Sequence, residues 1–186
     1  MSVEETLMDA EERMDKALAH LKQNLAGIRT GRAAPGLLDS VKVNAYGSLT
    51  PLKQLASVAA PEPQQLLIKP FDTSLIKDIE KGIVASELGL NPQSDGRIIR
   101  INIPPLSTDT RKKLVARIKE LAEEAKVSIR NVRRDANKAV ETAEKDKAIS
   151  EDERDSAKED VQQMTKKYED EVSELAKARE SDVLEQ

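Results

Sequence analysis

Along the first thirty residues the apolar positions fall at Leu7, Met14, Leu18, Leu21, Leu25 and Ile28. Steps of three, four and seven keep these side chains on one face of a helix, so the spacing predicts an amphipathic helix over about Val3–Thr30. Gly31 is expected to end it and Pro35 to prevent its continuation. A second stripe runs through Leu114, Ile118, Leu121, Ala125, Ile129, Val132, Ala136, Ala139 and Ala143. It predicts a helix over about Thr108–Asp146, roughly 58 Å long at 1.5 Å per residue. Ser150-Glu151-Asp152-Glu153 is a capping-box sequence that opens a third helix, with Ala157, Val161, Met164, Tyr168, Val172 and Leu175 inward.

Between these helices the period changes. All eight prolines and six of the seven glycines lie between Gly31 and Pro105. Val41–Ala45 and Ile99–Ile103 alternate, whereas Leu55–Val58 and Leu66–Ile68 are short apolar runs flanked by proline. All four read as strands. From Thr73 to Leu88 the period is helical, with Leu75, Ile76, Ile79, Ile83 and Val84 expected on one side. Asn91–Gly96 reads as a turn-rich loop.

Each long helix is apolar on one side only and must bury that stripe against partners. The expected fold is therefore α+β: a long three-helix bundle from residues 1–31 and 105–186, and a small β/α/β sandwich domain inserted at 32–104. Two tethers attach the insert, one of them flexible and glycine-containing, the other a stiff Pro-Pro. Gly31, Ala33, Ala34, Pro35, Pro104 and Pro105 are the expected hinge residues.

Composition narrows the function classes. Charged residues make up 34% and aromatics 2%, which fits long solvated helices. There is no cysteine and a single histidine, His20, which disfavours thiolate chemistry, metal sites and histidine-based catalysis. His20 sits near the stripe edge and is expected to be a half-buried filler. No apolar run approaches the roughly 20 residues of a membrane span. The acidic N-terminus lacks a signal-peptide core, so a cytoplasmic protein is expected. No cofactor and no metal are expected.

Charge is unevenly placed within a net −4. Arg111–Lys138 holds ten basic residues against four acidic, whereas residues 139–186 hold eight against sixteen. Lys126, Arg130, Arg133, Arg134 and Lys138 recur at helical spacing beside the core stripe and form a cationic face. Guanidinium forks match phosphate oxygens, so this face suits backbone-led recognition of folded RNA, the alternative being a solvated face of ordinary ion pairs. Asp135 is the one nearby acid in that stretch. Arg29 and Arg32 stand at the end of the first helix, where helix capping and anion binding are equal alternatives; Arg32, beyond the glycine, fits capping less well. The carboxylates of the third helix read as a solvated face. There is no Gly-rich phosphate loop, and Tyr46, Phe71 and Tyr168 are too few for a base-stacking platform. These features favour a binding protein over an enzyme; a helical chaperone or scaffold is the competing class.

Several longer motifs then resemble the ribosome recycling factor family. They are Arg29-Thr30-Gly31-Arg32-Ala33, Pro51–Val58, Glu87–Pro92, Ile103-Pro104-Pro105-Leu106 and Val127–Ala136, in unchanged order along the chain. The family's usual acid- and arginine-rich opening of the second helix is Ser107–Arg111 here, and its tyrosine pair before the hairpin glycine is Ala45-Tyr46. The resemblance implies an L-shaped α+β chain, acting as a monomer with no membrane association. It implies contact with large-subunit rRNA through Arg130, Arg133 and Arg134, with Arg29 and Arg32 beside them and Lys126 in the same stripe. It also implies elongation factor G as partner, whose GTP hydrolysis helps split the post-termination ribosome, with the insert as the part that swings.

Overall fold

The computed structural model describes residues 2–185. The chain forms two compact units. Residues up to Arg29 together with Thr108–Glu185 make the first, and Thr30–Ser107 make the second. Gly31 and Pro104–Pro105 thus lie in the second unit.

The first unit is a bundle of three helices, α1 (Val3–Ala26), α4 (Thr108–Lys145) and α5 (Glu151–Leu184). Capping boxes open α1 and α5. Ser2 Oγ accepts from the Glu5 amide and Ser150 Oγ from the Glu153 amide, while each glutamate accepts from the serine backbone N–H in return. Met14, Leu21, Ile118, Ile129, Val161 and Val172 sit at the centre, fully buried. Alanines at 10, 125, 136, 157 and 176 are buried between them and let the helices approach closely.

Several expectations shift by part of a turn. Helix α1 ends at Ala26 with Gly27 as its cap, four residues before the expected stop. Arg179 of α5 reaches this end: its Nε donates to Leu25 O in the last turn at 3.0 Å and its Nη2 donates to Ile28 O, just past the helix, at 2.7 Å. Gly27 still has right-handed φ and ψ of −74° and −10° and its N–H still donates to Gln23 O, so the chain departs from the helix beyond it. On α5, Thr165 and Ala176 are buried where Met164 and Leu175 were expected to lead. The Thr165 hydroxyl donates to Val161 O, so its burial leaves no unmade bond. On α4, Val140 is buried and Ala139 and Ala143 are only half-buried. His20 is exposed and pairs with Asn24 at 3.3 Å, so it is not a half-buried filler. The α4–α5 corner is a Schellman turn: Lys147 N–H donates to Glu144 O and Ala148 N–H to Ala143 O, both at 2.9 Å. Lys147 occupies the left-handed position there, at φ 59°.

The second unit contains two antiparallel sheets and one main helix, in keeping with an α+β fold. Strands β1 (Lys42–Ala45) and β2 (Ser48–Pro51) form a hairpin. Tyr46 and Gly47 turn it with φ of 52° and 79°, the paired positive values of a tight two-residue loop. Strands β3 (Ala56–Glu62), β4 (Gln65–Pro70), β5 (Pro92–Ser94) and β6 (Ile99–Asn102) form a sheet ordered β3-β4-β6-β5. The core joins Val41, Val43, Leu66, Ile68, Ile99 and Ile101 to Ile79 and Ile83 of α3 (Ile76–Ala85). Gly82 lets α3 lie directly on β1: a Cβ there would sit 3.0 Å from Lys42 O.

Three details of this unit depart from the sequence reading. A one-turn helix, α2 (Leu52–Leu55), takes Leu55 out of the expected strand. The Asn91–Gly96 loop contains the edge strand β5, whose leading Pro92 is tolerated because an edge needs fewer amide donors. Val84 is 62% exposed, one step past the buried Ile83. Both ends of the insert are fixed to one turn: Ala33 N–H donates to Pro63 O at 2.7 Å and Ile103 N–H to Gln64 O at 2.8 Å.

Candidate nucleic-acid interface

Helix α4 has two flanks, and the ion pairs tell them apart. On one, Asp135 accepts from Arg13 Nη2 of α1 at 2.7 Å, and Leu121, Ala125 and Val132 share a shallow groove with Ala17 and Leu21. On the other, Glu141 accepts from Lys158 of α5 at 2.6 Å and Arg130 Nε donates to Glu169 of α5 at 2.8 Å. Lys126 lines a groove with Ala176 and Lys177 on this second side. Helical steps of three and four from Lys126 and Arg130 carry Arg133 and Arg134 along the same α5-side flank.

Burial and pairing then separate the four cations. Arg134 is exposed; Lys126, Arg130 and Arg133 are half-buried, their stems against the bundle. Among the described residues, none makes an ion pair or side-chain hydrogen bond with Lys126, Arg133 or Arg134. Arg130 differs. Besides Glu169, its Nη1 meets Glu123 Oε1 at 3.2 Å, and its side chain is 38% exposed. The Glu169 hydrogen bond, with the charges of both carboxylates, pushes the guanidinium pKa further up and keeps it cationic.

Two sequence readings change here. Asp135 is no counter-ion for the stripe, because it faces α1 and is held by Arg13. The acids that do neutralise part of the stripe are Glu123 and Glu169. Glu123 lies two turns before Arg130 on α4 and could have been found from spacing. Glu169 lies 39 residues away and only packing reveals it.

Arg29 lies away from this flank, and Arg32 belongs to the second unit. Arg29 lies beyond the end of α1, where Asn24 is level with Leu121 and Glu124 of α4. That level is roughly 10 Å along the axis from Arg130 at 1.5 Å per residue. Arg29 is half-buried in the first unit, and Arg32 is exposed in the second. Of the expected hinge residues, Gly31 is buried with φ 74°, a conformation that suits glycine, and Ala33 is bonded to Pro63. Pro35 opens a short 3-10 turn after Ala34, and Pro104 and Pro105 are exposed in irregular chain before α4.

Other chemistry has little support in this geometry. Among the described residues no group of three or more His, Cys, Asp or Glu could hold a metal ion. Among them, too, no helix is long and apolar enough to cross a membrane. The buried Tyr168 hydroxyl donates to Asp15 and ties α5 to α1; burial first, then Asp15, pushes its phenol pKa up.

Comparison with known proteins places the chain in a family. A family model described as ribosome recycling factor matches residues 21–184. The ribosome-recycling factor of Rhodopirellula baltica is 73% identical over 139 residues, 75% of each chain. That of Symbiobacterium thermophilum is 50% identical over 181 residues, covering 97% of this chain and 98% of the relative. A solution structure of the ribosome recycling factor superposes with a TM-score of 0.81 at 40% identity, covering 100% of this chain and 99% of the other. A second structure, at TM-score 0.67 and 41% identity, covers 99% of this chain and 100% of the other. It is described as models for the T. thermophilus ribosome recycling factor and the E. coli elongation factor G bound to the E. coli post-termination complex. The chain therefore belongs to the ribosome recycling factor family, translation factors that recycle ribosomes and are not themselves enzymes.

Proposed function

We propose that the bundle binds large-subunit rRNA through the α5-side flank of α4, and that the chain splits the post-termination ribosome together with elongation factor G and GTP. Arg133, Arg134 and Lys126 are the leading contacts. The observation that carries this reading is that these three cations have no carboxylate partner among the described residues, in a chain with an excess of acids. Un-neutralised guanidinium groups on a rigid helix are preorganised for phosphate oxygens. Such contacts fix register on the RNA without reading bases, which suits a folded rRNA surface.

The insert is the moving part in this account, and the chain works as a monomer in the cytoplasm. The bonds of Ala33 and Ile103 to the Pro63–Gln64 turn support pivots outside those two residues, around Gly31 and around Pro104–Pro105. The test is subunit splitting of purified post-termination ribosomes, followed by light scattering. Splitting is expected with the protein, elongation factor G and GTP together, and not when any one is omitted. Splitting without the GTPase, or none with all three, contradicts the proposal.

A further inference from the structure

Of the four cations on the flank, only Arg130 is engaged by carboxylates among the described residues. Glu169 on α5 takes its Nε at 2.8 Å, and Glu123 on α4 takes its Nη1 at 3.2 Å. Glu169 is the more enclosed acid, 29% exposed against 62% for Glu123. A guanidinium has five N–H donors in a planar fork. Two of its three nitrogens are therefore occupied, one of them from a different helix, and the two carboxylates give this point of the flank a local net charge of −1. One turn away, Arg133 and Arg134 carry no such partners.

We propose that Glu169, helped by Glu123, is a carboxylate lock on Arg130 that sets the threshold for RNA binding. The carboxylates occupy positions that phosphate oxygens would take. An isolated phosphate meets their repulsion and gains little. A surface that places several phosphates along Arg133, Arg134 and Lys126 at once supplies enough attraction to displace Glu169 and recruit Arg130. Glu169 is thus a specificity-determining residue: it costs affinity on every RNA and selects for dense, correctly spaced phosphate. This inference rests on the reading of the α4 flank as the RNA-binding face.

The test measures equilibrium binding of the full chain to purified large ribosomal subunits over a range of KCl concentrations. The variants are Glu169→Gln, Glu123→Gln, Arg130→Gln, Arg133→Gln and the Glu169→Gln/Arg130→Gln pair. Exposed ion pairs are weak, so releasing the lock should tighten binding about two- to fivefold. The log–log salt slope should change by less than one phosphate contact, because Arg130 reaches phosphate in parent and variant alike. Glu123→Gln should act in the same direction, and Arg130→Gln should weaken binding more in the Glu169→Gln background than in the parent. If Glu169→Gln leaves affinity unchanged or weakens it while Arg133→Gln weakens binding, the lock is wrong and the RNA-binding flank stands. If Arg133→Gln also has no effect, both fall. Should Glu169→Gln fail to fold, as judged by circular dichroism, the more exposed Glu123→Gln carries the test alone.

Discussion

Replacing Arg179 by methionine should loosen the exit of α1 from the bundle. The side chain is 26% exposed and donates two charge-assisted hydrogen bonds, to Leu25 O at 3.0 Å and Ile28 O at 2.7 Å. Hydrogen bonds to charged groups contribute about 1.5–3 kcal/mol each when well buried. Partial exposure lets water reach the abandoned carbonyls, which reduces the combined loss to about 2 kcal/mol. Its contact with Asp182, at 3.5 Å near the surface, adds little. Methionine keeps most of the stem packing, so the loss reports the guanidinium. In urea unfolding followed by helical circular dichroism, a slope of about 2 kcal/mol per molar converts this to a midpoint roughly 1 M lower, with the slope unchanged. Lysine at the same position can reach one carbonyl at a time and should restore about half the loss. Amide exchange at Gly27–Arg29 should accelerate in the methionine variant. A midpoint within about 0.2 M of the parent, or full restoration by lysine, would show that the end of α1 is fixed by packing and not by these bonds.

Three further outcomes follow from local geometry. Gly82→Ala gains about 1 kcal/mol of helix propensity, yet its Cβ would lie 3.0 Å from Lys42 O and 3.1 Å from Val43 Cγ2. A net destabilisation of the insert by about 1–2 kcal/mol is expected in thermal unfolding, and a rise in its midpoint refutes the close-approach argument. Lys147→Gly relieves a lysine held at φ 59° in the Schellman turn and should stabilise the bundle by about 0.5–1 kcal/mol in urea; a loss would mean the left-handed site is not strained. The Asp72 carboxylate accepts from the Tyr46 hydroxyl first and then from Ser74, which lowers its pKa below 3.8. A depressed carboxylate pKa stabilises above its unfolded value and loses that contribution as pH falls through the folded one. The Ser74 amide resonance should therefore titrate with a midpoint below that of an ordinary aspartate, and an unshifted or raised midpoint contradicts the contact.

The long helices were legible because their stripes repeat over many turns, and α4 and α5 begin at the expected residues. Ends were harder to read. α1 stops at Gly27 and not at Gly31, and Arg179, which binds the carbonyls there, lies more than 150 residues away in sequence. In the insert, Leu52–Leu55 has too few residues to show a period, and Pro92 at the start of β5 masks an edge strand as a loop. The helical period puts Val84 on one side with Ile83, but one residue on a helix turns about 100°, enough to leave a narrow face. The cationic flank was visible as residues at three- and four-step spacing. Which of its members are neutralised was not visible, because Glu169 joins Arg130 only when α5 packs back on α4. Asp135 faces the opposite flank, where α1 supplies Arg13.

The central claim is that un-neutralised cations on the α5-side flank of α4 hold large-subunit rRNA. Its most direct test is the salt dependence of binding to purified large subunits for the Arg133→Gln/Arg134→Gln double variant. The account predicts affinity lowered at least tenfold and a log–log slope shallower by about two phosphate contacts. Parent affinity and parent slope in a folded double variant would contradict it.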